Sequence, residues 1–98
     1  MPINPKAKLS ENLFDKTELE QKPTRDGYGW GLIEAGEKDE RVVVLCADLT
    51  ESTRSEGFAK KFPERFVELG VAEQNMATVA AGMANYGKIP FISSYAAF

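Results

Sequence analysis

Glu73 is the residue whose type and position most invite chemistry. It follows a short apolar segment closed by Gly70, and it opens a run of helix-forming residues, Ala72–Tyr86. A carboxyl group there either exchanges a proton with a bound ligand or complements the positive end of the helix dipole, a contribution below about 1 kcal/mol. Tyr95 and Phe98 are two aromatics three residues apart. They either flank a flat ligand or begin a helix inside a core. Asp48 closes an apolar run, where its carboxylate either serves a ligand or caps the next turn.

Other chemistries are excluded by composition. The chain has no histidine and a single cysteine, Cys46. A triad with a histidine base cannot be built from it, nor can an internal disulfide or a structural zinc site of the usual ligands. The run Gly27-Tyr28-Gly29-Trp30-Gly31 suggests a dinucleotide loop. It follows a proline-containing stretch instead of a strand, and the G-x-G-x-x-G spacing is not met.

The elements that must position these residues are legible in outline. Residues 1–23 are polar, with Pro2, Pro5 and Pro23. They read as an arm in which Leu9, Leu13, Phe14 and Leu19 could line one side of a short helix. Thr24 then reads as an N-cap with Asp26 in the first turn. The helix runs over 25–37, brings Trp30, Ile33 and Glu34 near one another, and ends at Gly36. Gly27, Gly29 and Gly31 each weaken it by roughly 1 kcal/mol relative to alanine. Arg41–Ala47 is β-branched and unalternating, as in a strand buried on both faces of a parallel sheet. Thr50–Thr53 is a polar loop, and Ser55–Phe62 a short helix stopped by Pro63. Phe66–Leu69 is a second strand. Ala72–Tyr86 is a helix rich in small residues, expected to be largely buried and closely packed, with Gly87 beyond it. Ile89–Ser93 is a third strand.

This order predicts an α/β fold with a parallel sheet. Nothing in the chain follows the third strand as a covering helix, so a partial doubly wound sheet with one face open is expected, a piece of a longer domain. Ligands of such sheets bind beyond the carboxyl ends of the strands. That rule selects Asp48–Ser52, Gly70–Asn75 and Ser94–Phe98.

The chain has 98 residues, 43% of them apolar and 28% charged, with a net charge of −3. These are ordinary globular values for a single domain. No basic stripe favours nucleic acid. No apolar run is long enough for a membrane span, and the N-terminus lacks a signal peptide's apolar core. A soluble, cytoplasmic protein is the expectation.

Three motifs together carry a resemblance. Gly70-Val71-Ala72-Glu73-Gln74-Asn75-Met76, then Ala80-Ala81-Gly82, then Pro90-Phe91-Ile92-Ser93-Ser94-Tyr95-Ala96-Ala97-Phe98 resemble the pyrimidine-binding domain of transketolases, in particular the C-terminal subunit of split transketolases. Thr24-Arg25 and Ala47-Asp48-Leu49 fit the same pattern, with Arg25 and Asp48 separated by 23 residues and Ser52 four further on. The resemblance implies residues 1–23 as an arm and 24–98 as the N-terminal part of such a domain, incomplete.

It also implies thiamine diphosphate as cofactor. Glu73 would hydrogen-bond N1′ of the aminopyrimidine and favour its 4′-imino form, whose nitrogen takes the thiazolium C2 proton. Tyr95 and Phe98 would flank the aminopyrimidine, Asp48 would lie on the thiazolium side, and Arg25 with Ser52 would hold a sugar phosphate. The implied activity is transfer of a two-carbon ketol unit between sugar phosphates, in the pentose phosphate pathway of carbohydrate metabolism. The implied partner is a diphosphate-binding subunit or domain carrying the Mg²⁺ ligands, in a homodimer or heterotetramer, and this chain alone is not expected to turn over. The neighbouring possibilities are 1-deoxyxylulose-5-phosphate synthase and a non-catalytic assembly module of the same fold. The chain departs from the pattern in lacking histidine, with Gln74 and Asn75 after the glutamate.

Overall fold

Val42–Cys46 forms β1, and its β-branched run is explained by its place in the sheet. In the computed structural model, which describes residues 3–98, β1 is the middle of three parallel strands. It pairs with β2 (Phe66–Glu68) on one side, Val44 opposite Phe66 and Cys46 opposite Glu68. On the other side it pairs with β3 (Ile89–Ile92), Val42 opposite Ile89 and Leu45 opposite Ile92. Every residue from Val42 to Ala47 is buried.

The remaining elements are α1 (Thr24–Lys38), α2 (Glu56–Lys61), a 3₁₀ turn at Pro63–Arg65 and α3 (Glu73–Asn85). The strand order β2-β1-β3 means that the chain leaves β1 in one direction across the sheet and returns past it in the other. Right-handed crossovers then place α2 and α3 on opposite faces. The contacts agree. Val42 and Val44 pack with Leu32 of α1 and Phe58 of α2. Val43, Leu45 and Ala47 pack with Met76 and Ala80 of α3.

Both faces of the sheet therefore carry helices, which corrects the expectation of an open face. The preceding helix α1, not a following one, completes the second layer. Val42–Leu45 are at most 4% exposed, as their reading as a strand buried on both faces requires.

Four local expectations are also revised. Thr24 is the first residue of α1 rather than its cap. Pro23 occupies the cap position in an extended conformation, and its carbonyl accepts a bond of 3.0 Å from the Asp26 amide. Gly36 does not end α1, which continues to Lys38. It is buried where Phe58 and Phe62 cross the helix, and a Cβ there would lie 2.7 Å from Phe58 Cε2. Its lack of a side chain serves close packing, as at Gly29, where a Cβ would lie 2.7 Å from the Arg54 carbonyl oxygen. The inward side of α1 is Gly29, Leu32 and Gly36, while Trp30 stays exposed beside Lys22. Helix α3 buries only Met76 and Ala80, and Ala77, Ala81, Gly82 and Ala84 face outward. Small residues permit close packing, but within this chain only one side of α3 meets the sheet. Finally, residues 3–23 contain turns and no helix, with Leu9 and Phe14 largely exposed.

Candidate functional site

The carboxyl ends of the three parallel strands lie along one edge, and the chain leaves β1 and β2 through left-handed residues. After β1, Asp48 adopts a left-handed backbone with φ of 60°. That conformation costs a residue with a Cβ roughly 1–2 kcal/mol. It is held by Glu68, whose Oε1 accepts the Asp48 amide at 2.7 Å. The same oxygen accepts the Gly70 amide at 2.8 Å, and Oε2 accepts the Thr50 hydroxyl at 2.9 Å. Burial would raise the Glu68 carboxyl, but the bonds from Gly70, Asp48 and Thr50 outweigh it and hold the group below the usual glutamate range.

The loop after Asp48 is bonded internally. Thr53 and Ser55 are buried and share a bond of 2.9 Å between their hydroxyls, and Thr53 Oγ1 donates to the Leu49 carbonyl at 2.7 Å. Arg54, also left-handed at φ 64°, donates to Asp26 of α1 at 2.8 Å. This network fixes Ser52, and Arg25 in the first turn of α1 donates to the Ser52 carbonyl at 3.2 Å. Tyr95, beyond β3, makes a hydroxyl–hydroxyl bond with Ser52. Its ring lies 6.1 Å from that of Phe98, tilted by 44°.

Two adjoining clefts result. One, about 390 Å³, is lined by Arg25, Asp48, Thr50, Ser52 and Arg54 among others. The second, about 320 Å³, is lined by Thr24, Arg25, Tyr28, Ser52, Ser94 and Tyr95 among others. Arg25 and Ser52 belong to both. The structure thus brings together four of the residues singled out in the sequence: Arg25, Asp48, Ser52 and Tyr95. Glu73 and Phe98 line neither cleft. Glu73 is the first residue of α3, on the opposite face of the sheet from α1, and its carboxylate has no hydrogen-bond or ion-pair partner among the described residues. Phe98 is 70% exposed and Tyr95 41%.

Three residues that organise this edge were not singled out in the sequence. Glu68 is a carboxylate interrupting an apolar strand, a signal that was available. Arg54 gave none, because its role depends on a left-handed backbone. Tyr28 was read within a glycine run. Its hydroxyl is buried without a hydrogen-bond partner among the described residues, and burial pushes it up to about 12.

The comparisons with known proteins agree with the fold. The family model described as "Transketolase, pyrimidine binding domain" matches residues 20–98. The chain is 58% identical over 77 residues to a transketolase C-terminal section of Methanocaldococcus jannaschii, covering 79% of this chain and 24% of that protein. It is 41% identical over 83 residues to 1-deoxy-D-xylulose-5-phosphate synthase of Listeria monocytogenes, covering 79% of this chain and 14% of that protein. Among solved structures, a split-gene transketolase described as an inactive beta4 tetramer superposes with a TM-score of 0.68 at 53% identity, over 76% of this chain and 25% of that one. The chain spans about a quarter or less of the length of these relatives. With a family model that matches most of its length, the chain belongs to the family of transketolase pyrimidine-binding domains.

Proposed function

We propose that this chain supplies the aminopyrimidine-binding side of a thiamine-diphosphate-dependent transketolase that moves a two-carbon ketol unit between sugar phosphates. In this reading residues 1–23 are an arm and 24–98 the N-terminal part of the domain. A partner chain or domain holds the diphosphate and its Mg²⁺, the assembly is a homodimer or heterotetramer, and the setting is pentose phosphate metabolism in the cytoplasm. The observation that carries the reading is the edge itself. An acid at a helix start, an acid in a strained turn and two exposed aromatics share the ligand-binding end of a parallel sheet, in a chain of this family. These residues fit the cofactor: flat exposed rings suit a flat heterocycle, and an unpartnered carboxyl suits a ring nitrogen.

The bound cofactor would supply the stabilised carbon nucleophile that accepts and releases the two-carbon unit. The protein residues do the rest. Glu73 would hold a proton between its carboxyl and N1′. Tyr95 and Phe98 orient the aminopyrimidine and exclude water from it. Asp48 would lie on the thiazolium side. Arg25 and Ser52 take the substrate's phosphate, for which a guanidinium fork is suited.

The test uses the chain combined with its diphosphate-binding partner. Glu73→Gln should slow exchange of the cofactor's C2 proton by orders of magnitude, measured by NMR in deuterated water, with a smaller effect on cofactor affinity. An unchanged exchange rate removes Glu73 from the mechanism. The identity to the synthase supports a second reading with the same Glu73 role. Product analysis with pyruvate as donor, compared with a ketose phosphate, separates the two.

A further inference from the structure

We infer that Glu68 is a positioning residue of the site, setting the backbone of Asp48 and the spacing of the loops that follow β1 and β2. Its consequence for catalysis rests on the reading of Asp48 given above. The inference itself rests on geometry alone.

Asp48 is one of two non-glycine residues with positive φ among those described, and its conformation is unfavourable without an external restraint. Glu68 provides that restraint. One carboxylate oxygen accepts two amides from two different loops, Asp48 at 2.7 Å and Gly70 at 2.8 Å, and the other accepts Thr50 at 2.9 Å. Gly70 is itself left-handed, with φ of 74°. A single anion therefore ties two left-handed turns on adjacent strands. Both turns lead directly to candidate site residues, Asp48 in one and Glu73 three residues after Gly70 in the other.

The register explains why position 68 can do this. Glu68 is the last residue of β2 and stands opposite Cys46, two residues before Asp48. Leu69 continues the ladder by donating to the Cys46 carbonyl at 2.9 Å. The Glu68 side chain is therefore beside the β1 turn as the chain leaves the sheet. Asp48 and Glu68 are both acids, and the contact is made through the Asp48 amide, while Asp48 lines the cleft. A glutamine can keep the Oε1 acceptor and bond Thr50 through its amide nitrogen. An alanine can do neither.

The experiment is NMR on the isotope-labelled full chain, with Glu68→Ala and Glu68→Gln. It needs no cofactor, so its outcome is independent of the proposed activity. In Glu68→Ala, amide exchange at Asp48 and Gly70 should accelerate roughly ten- to a hundredfold, as for loss of a hydrogen bond to a charged group. Exchange at Val44 and Leu45 should hold. The three-bond HN–Hα coupling of Asp48, which reports φ, should leave its left-handed value. In Glu68→Gln the coupling should be retained, with exchange a few-fold faster. Retention of the Asp48 coupling and of both amides' protection in Glu68→Ala overturns the inference. Should that variant not fold, unchanged exchange at both amides in Glu68→Gln overturns it equally.

Discussion

Among the described residues the Arg25 side chain makes one hydrogen bond, of 3.2 Å to the Ser52 carbonyl, and Arg25 lines both clefts. That disposition leaves it free for the phosphate role proposed above. In the assembled enzyme, Arg25→Ala should raise KM for sugar phosphates by one to two decades, as for loss of about 1.5–3 kcal/mol from a charged hydrogen bond. A donor without phosphate, such as hydroxypyruvate, should be nearly unaffected. Equal losses on both would make Arg25 structural. Tyr28 invites the opposite kind of change. Its buried hydroxyl lacks a hydrogen-bond partner among the described residues, so Tyr28→Phe removes a desolvated group and should stabilise the chain by up to about 1 kcal/mol. The sign of its pH dependence follows from the shift. Burial favours the neutral phenol, with ionisation near 12 in the native state against about 10 when unfolded. Stability from Tyr28 is therefore complete below about pH 10 and is lost as pH rises towards 12. Alkaline denaturation of the wild type and Tyr28→Phe, followed by circular dichroism, should show a weaker loss in the variant.

At the scale of elements, α1 shows what a linear pattern conveys and what it hides. Its extent was legible to within a residue at each end, because Pro23 and the charged Lys38–Glu40 segment bound it. Its inward face was not, because Gly29 and Gly36 look like weaknesses until a neighbouring helix is laid across them. The effect of removing these glycines differs in sign by position. Gly31 has open space around it, so Gly31→Ala should stabilise the helix by about 0.5–1 kcal/mol. Gly36→Ala would press a methyl against Phe58 and Phe62, and overpacking of about 1–3 kcal/mol should outweigh the helix gain. Thermal unfolding of the two variants should move the midpoint in opposite directions. The strands were legible for a stronger reason. A β-branched run without alternation has few other homes, and it marked β1 as central. The edge residues Asp48, Glu73 and Tyr95 were reachable once the strands were placed, since the rule about carboxyl ends needs only strand order. Glu68 left a trace as a carboxylate in an apolar strand, while Arg54 left none, because its role depends on a left-handed backbone that the sequence does not announce.

On the scale of the whole molecule, the exposed large apolar side chains fall in two groups, one on the arm and α1 (Ile3, Leu9, Phe14, Trp30) and one on α3 and the segments after the strands. Val71, Ile92, Tyr95 and Phe98 are exposed near the edge, and Tyr86 is 90% exposed at the end of α3. No helix among the described residues is long and apolar enough to cross a membrane. If a partner holds the diphosphate, the chain by itself should give no calorimetric binding signal with thiamine diphosphate and Mg²⁺. Binding should appear on adding the partner. Micromolar binding to the isolated chain would show that the cofactor is held without a second subunit.

The middle position of β1 has a bearing on how the chain is made. The ribosome delivers this strand first, yet its neighbour on one side, β3, is synthesised far later. Val42 must wait for Ile89, 47 positions downstream. At about 5–20 residues per second, that is a delay of roughly two to ten seconds. For that interval a five-residue segment of high β-propensity has at least one edge without its final neighbour, the circumstance in which nascent chains associate wrongly. The segment is bracketed by Arg41 and Asp48, charges of opposite sign that act as gatekeepers against stacking. Neutralising both should lower the yield of soluble protein during synthesis more than it lowers the stability of molecules already folded.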